Sequence, residues 1–106
     1  MRQLASPLLP KQQKTLESMG DNIKYARLRR DLSMEQVAER AGISRATLHK
    51  VESGNPGVAI GAYLKTLYVL NLEEDLSSVA RDDEFGRALQ DIKLPSRKRA
   101  SKSGRI

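Results

Sequence analysis

The stretch SMEQVAERAGISRATLHKVESG, residues 33–54, constrains this chain more than any other. Ser33 stands where a hydroxyl caps the first turn of a helix, and Gln36, three residues on, occupies the capping-box position. Residues 34–41 then read as a short helix with Val37, Ala38 and Ala41 as its apolar positions, and Gly42 offers a left-handed stop. Ile43 is an apolar residue in the turn, and Ser44 is a second N-cap. Residues 45–52 read as another short helix, with Leu48 and Val51 on its inner face. Ala38 is small where the two helices must cross closely, and Gly42 tolerates the positive φ that the turn requires.

The flanks extend the helical period. Leu16, Met19, Ile23 and Ala26 recur at spacings of three, four and three residues, with Lys14, Asp21, Lys24 and Arg29 on the other sides. Gly20 lies inside this pattern and leaves one long helix or two short ones open. Residues 1–10, punctuated by Pro7 and Pro10, form an extended lead. Downstream, SGNPG at 53–57 is the densest turn signal in the chain. A fourth helix is predicted over Ile60–Leu70, with Tyr63, Leu64, Leu67 and Leu70 as apolar positions. Leu76, Val79, Phe85, Leu89 and Ile92 make a last helical pattern, bent near Arg81, that is expected to be buried in the protomer or at a dimer interface. No segment reads as a strand. The expected architecture is all-α, a helical domain over 11–92 followed by a basic, disordered tail at 93–106 that lacks apolar periodicity.

Composition narrows the chemistry. Aromatic residues make up 4% of the chain and tryptophan is absent, so the core must come mainly from Leu, Ile, Val, Ala and Met. With no cysteine, disulfides, thiol nucleophiles and cysteine–metal clusters are excluded. The single histidine, His49, has no second histidine or carboxylate cluster around it, which disfavours a metal site or a general base. GNPGVAIG resembles a phosphate-cradling loop but follows no strand. No enzyme activity, cofactor or metal is expected. No stretch has signal-peptide or membrane-spanning length, and a soluble, cytoplasmic protein is expected, nucleoid-associated when bound to DNA. The net charge of +6 is unevenly placed. Residues 1–65 carry 11 basic and 6 acidic side chains, residues 66–92 carry 2 and 7, and residues 93–106 carry 6 and 0. One surface is therefore suited to an anion and another to a different partner.

Two short helices joined by a glycine turn describe a helix-turn-helix, whose second helix enters the major groove N-terminus first. Leu48 and Val51 face inward, which leaves Arg45, Ala46, His49 and Lys50 pointing outward with Thr47 at the edge. Arg45 and Lys50 can donate to guanine O6 and N7, while Ala46 or the Thr47 methyl can touch a thymine methyl. Phosphate oxygens suit the helix starts at Ser33, Met34 and Ser44, together with His49, Ser53, Asn55 and Gly57.

At IKYARLRRDLSMEQVAERAGISRATLHKVESGNP, continuing through LKTLYVLNL, the chain resembles the Xre/Cro-type, phage repressor-like helix-turn-helix family. The resemblance implies a five-helix domain, a dimeric repressor and an intramolecular pair between Arg27 and Glu52. Two positions depart from the family pattern. Met34 stands where a phosphate-binding Gln is often found, and Ala59 lacks the usual Ser or Thr cap. Further on, LEEDLSSVARDDEFGRALQDIKLP, with SPLLPKQQKTLESMGDNIK upstream, is similar to HipB-type antitoxins. That likeness implies a homodimer on an inverted-repeat operator in double-stranded DNA, autorepression, and a HipA-like kinase toxin as partner. The alternatives are a stand-alone phage-type or housekeeping repressor and a mainly protein-binding module.

Overall fold

The computed structural model describes residues 7–100, and the described residues form helices and turns with no strand. Six helices follow in order: α1 (Pro10–Arg29), α2 (Met34–Ala41), α3 (Arg45–Glu52), α4 (Ile60–Val69), α5 (Glu74–Ser77) and α6 (Glu84–Ala100). Among the described residues, no helix is long and apolar enough to cross a membrane. The chain divides into two compact units, with the boundary between Leu76 and Ser77.

The first unit is built around α3, which packs against α1, α2 and α4, while α2 also packs against α4. Its core is Ile23 and Ala26 from α1, Val37 and Ala38 from α2, Leu48 and Val51 from α3, and Tyr63, Leu67 and Leu70 from α4 and its end. Leu48 and Val51 are fully buried, as their inward placement in the sequence requires. Both capping serines act as expected: Ser33 Oγ accepts from the Gln36 amide at 3.0 Å, and Ser44 Oγ accepts from the Thr47 amide at 3.0 Å. Gln36 returns the bond, its Oε1 accepting from the Ser33 amide at 2.8 Å, which closes the capping box.

Helices α1 to α4 stop in the same way. An amide two or three residues past the helix end reaches back five residues, in the bonds Leu32 to Arg27 O, Ile43 to Ala38 O, Asn55 to Lys50 O and Leu72 to Leu67 O. The amide before it reaches back three, from Asp31, Gly42, Gly54 and Asn71. These four residues all have positive φ, between 54° and 76°. This is the Schellman arrangement, which satisfies carbonyls that a helix end would otherwise leave orphaned. Asp and Asn tolerate the left-handed conformation better than other side chains, which is why two of the four stops lack glycine.

Gly20 does not break α1, which is a single helix of 20 residues. Its role is close approach. A Cβ there would lie 2.5 Å from the Glu52 carbonyl oxygen, so only glycine lets α1 cross the last turn of α3 at this distance. The start of α1 also departs slightly from expectation. Pro10 is already its first helical residue, and the Leu9 amide donates to Gln12 Oε1 at 2.9 Å.

In α4, Leu64 is 46% exposed rather than internal. The inner face is Tyr63, Thr66, Leu67 and Leu70, while Ile60, Leu64 and Tyr68 form an outer stripe four residues apart. Thr66 is fully buried because its hydroxyl donates to the Ala62 carbonyl at 2.9 Å, which removes the cost of burying it. As expected from its sequence, Ala59 caps α4 without any side-chain bond.

The expected last helix is two helices. Leu76, on α5, packs partly on the core of the first unit. A turn follows in which Ala80 takes a φ of 65°. In the second unit Asp83 Oδ1 accepts from the Gly86 amide at 2.9 Å and so starts α6. Val79, Phe85, Leu89 and Ile92 are exposed, so they are not buried within the protomer. Helix α6 also passes through Pro95 to Ala100, where disorder from residue 93 was expected. Absence of an apolar period rules out a buried face, but it does not oppose a helix rich in Arg and Lys. Residues 101–106 of the expected tail lie outside the described residues.

Candidate nucleic-acid interface

The residues that the sequence places on the outer side of α3 are exposed together. Arg45, Ala46, His49 and Lys50 are exposed, and Thr47 is half-buried at the edge. The opposite side of the same helix is Leu48, Val51 and Glu52, all buried. Two turns of helix thus carry a holding face and an open face with no residue shared between them. The Thr47 hydroxyl accepts from Ser44 Oγ at 2.9 Å, so it is engaged within the turn.

The holding face is secured by charge as well as by packing. Arg27 Nε and Nη2 donate to Glu52 Oε2 and Oε1 at 2.7 and 3.0 Å, a bidentate pair with both side chains less than a tenth exposed. Arg27 Nη1 donates in addition to the Leu32 carbonyl at 3.0 Å, which binds the α1–α2 turn into the same network. One guanidinium therefore fixes α1, the turn that leads into α2, and the end of α3. Its planar fork matches a carboxylate in a way a lysine could not.

The loop after α3 is held just as closely. Gly54 has a φ of 76°, and a Cβ there would meet the Glu17 backbone of α1 at 2.7 Å. Gln13 Nε2 donates to the Gly54 carbonyl at 2.9 Å. Asn55 Oδ1 accepts from the Gly57 amide at 2.7 Å, so these two expected phosphate donors are partly spent on each other. The side-chain nitrogen of Asn55, Nδ2, is the donor this turn leaves over. Ser53 Oγ donates to the Lys50 carbonyl at 3.1 Å. Tyr63 reaches from α4 to donate its hydroxyl to the Asn55 carbonyl at 3.1 Å, and burial pushes its phenol above the ordinary value.

Replacing Tyr63 with phenylalanine is expected to cost about 0.5–1.5 kcal/mol, the usual net value of such a bond. Because the folded state favours the protonated phenol, its contribution is complete below about pH 10 and is lost as the pH rises further. Thermal unfolding of the two proteins at neutral and at alkaline pH checks both statements. The gap between them should narrow in alkali.

Sequence reading did not single out Asp21 and Lys24 for this interface. They line a cavity of about 450 Å³ together with Arg27, Met34, His49, Glu52 and Ser53, beside the open face of α3. Their signal was available, since Gly20, Lys24 and Arg27 fall four and three residues apart on α1 and so share one side of it. Among the described residues, no group of three His, Asp or Glu side chains could hold a metal ion.

An exposed basic helix locked from behind, preceded by a capped partner helix and a left-handed glycine turn, has the geometry of a module that reads DNA. Residues 23–60 match the family described as helix-turn-helix (HTH_3). This segment is a helix-turn-helix domain. The match runs from the middle of α1 through α2 and α3 to the first residue of α4. No curated protein matches the chain. The second helix of the two-helix motif is α3, so the open face described above belongs to the element that such motifs present to the major groove. The first half of α1 and nearly all of α4 lie outside the matched segment but hold this helix in place.

Proposed function

We propose that the protein is a sequence-specific DNA-binding repressor that acts as a homodimer on an inverted-repeat operator. The observation that carries this reading is the clean division of α3 into a buried face and an exposed basic one within a helix-turn-helix domain. Arg45 and Lys50 donate to guanine edges, and Ala46 and the Thr47 methyl meet thymine methyls. Phosphates on either side are met by the first-turn amides after Ser33 and Ser44, by Met34 through its backbone alone, and by His49, Ser53 and Asn55. Gly57 joins them only by releasing Asn55 Oδ1. Two copies of α3 about 34 Å apart read half-sites one helical turn apart.

The finer role we propose is antitoxin and autorepressor of an operon encoding a HipA-like kinase toxin. Two features support it: the resemblance of residues 72–95 to HipB-type antitoxins, and the exposed Phe85, Leu89 and Ile92, which form an apolar stripe along α6. Such a protein works in the cytoplasm.

Arg45→Ala tests the reading. After selection of a preferred duplex from a random library, the variant should bind it about 1–3 kcal/mol more weakly, with relaxed preference at one base pair. Its binding to unselected DNA should change little. Equal weakening on both would remove Arg45 from base readout. Co-expression with a kinase-like neighbouring reading frame tests the antitoxin role: a stable complex and rescue of growth are expected, and toxicity unaffected by this protein would leave a stand-alone repressor.

A further inference from the structure

The cavity beside the reading face has an unusual charge balance. Its ionisable lining is Asp21, Lys24 and Arg27 from α1 and His49 and Glu52 from α3, while α2 contributes only Met34. Arg27 and Glu52 neutralise each other through their bidentate pair. Asp21 and Lys24 offset each other in formal charge. The sum, −1 and +1 from Asp21 and Lys24, +1 and −1 from Arg27 and Glu52, is zero with His49 neutral and +1 with His49 protonated. One imidazole therefore decides whether the notch is neutral or positive.

We propose that this notch seats a single DNA phosphodiester and that His49, helped by Lys24, makes the seat proton-dependent. The inference rests on the DNA-binding reading above and adds a ligand and a regulating ion to its edge. Met34 puts a thioether at the first position of α2, so no side-chain donor comes from that helix. The notch takes its side-chain donors from α1 and α3. Lys24 and His49 are both exposed, so each is free to move toward a phosphate. Ser53 Oγ is already donating to the Lys50 carbonyl. Histidine is the side-chain type whose charge changes between about pH 5 and 8, and this chain has a single one. A phosphodiester beside the imidazole favours its charged form and receives a charge-assisted hydrogen bond from it. The complex then binds the proton more tightly than the free protein does, so affinity must rise as pH falls.

The contact is to backbone, so it does not depend on sequence, and a rhodamine-labelled duplex of random sequence serves as the probe. Fluorescence anisotropy at constant low ionic strength should show the full chain binding about five- to tenfold more tightly at about pH 5.5 than at about pH 8. His49→Gln should be flat across that range at the weaker affinity, and His49→Lys flat at the tighter one. Lys24→Gln should keep the pH response but lower the salt slope by about one. Because both side chains are exposed, far-UV circular dichroism should show every variant folded. A flat wild-type profile, or a slope that survives in His49→Gln, overturns the proposal while leaving DNA binding intact. No binding at either pH overturns the DNA-binding reading and this inference with it.

Discussion

Glu52→Ala should lower the stability of the helix-turn-helix unit by about 3–5 kcal/mol, enough to leave much of a small domain unfolded at physiological temperature. The loss is large because of what remains behind. Arg27 stays in place at 6% exposure with its Leu32 bond intact, and its Nε and Nη2 protons face a cavity without an acceptor. A buried charge that loses its partner suffers the full cost of desolvation, whereas an exposed one would turn to water. A double variant, Arg27→Met with Glu52→Leu, removes both charges and fills similar volume. It should recover most of the lost stability, since well-packed apolar groups replace buried ion pairs at little or no cost. Urea unfolding followed by far-UV circular dichroism distinguishes the three proteins. If Glu52→Ala and the double variant were equally unstable, the pair itself would be a larger net stabiliser than its burial implies.

A second large effect is expected at Gly54, and Gly42 provides its control. Both residues stop a helix with φ near 70°, at 76° and 71°. Alanine in that conformation costs about 1–2 kcal/mol wherever it occurs. At Gly42 that is the whole cost, because nothing lies within 4 Å of the added Cβ. At Gly54 the methyl would enter the backbone of Glu17 and Leu16, and backbone cannot rotate out of the way. Forcing the loop off α1 adds about 1–3 kcal/mol of overpacking strain. Gly54→Ala should therefore unfold at distinctly lower denaturant than Gly42→Ala, with the difference reporting the α1 crossing alone. It should also weaken DNA binding while folded, since Ser53 and Asn55 move with the loop. Equal midpoints for the two variants would mean that the loop can lift from α1 at no cost.

How much of this the sequence disclosed depends on the kind of interaction. The two central helices were legible to the residue, because a serine cap, a capping-box glutamine and a glycine stop are local signals. The end of α4 was legible to within one residue, Leu70 against Val69, but the left-handed stop of α1 at Asp31 was not, because a non-glycine residue with positive φ is uncommon. Thr66 was missed as core because its buried hydroxyl is made acceptable by a backbone carbonyl four residues back, which a hydropathy pattern does not register. Leu64 was misplaced for the opposite reason: an apolar side chain left on the surface breaks no strong rule. On the interface, the exposed set of α3 followed from period alone. The Arg27–Glu52 pair, 25 residues apart, came only through family resemblance, and the Lys24–His49 notch emerges only once α1 and α3 are assembled.

The segregation of α3 into two faces has a consequence for how such a protein can change. The residues that hold the helix, Leu48, Val51 and Glu52, are fixed by core and ion pair, whereas the side chains of Arg45, Ala46, His49 and Lys50 are exposed. Surface substitutions of that kind usually alter stability by no more than about 0.5 kcal/mol. On the proposed reading, base preference can therefore drift through Arg45, Ala46 and Lys50 while the mount that aims them stays constant. A lineage, or a designer, can exchange the lettering without recutting the type block.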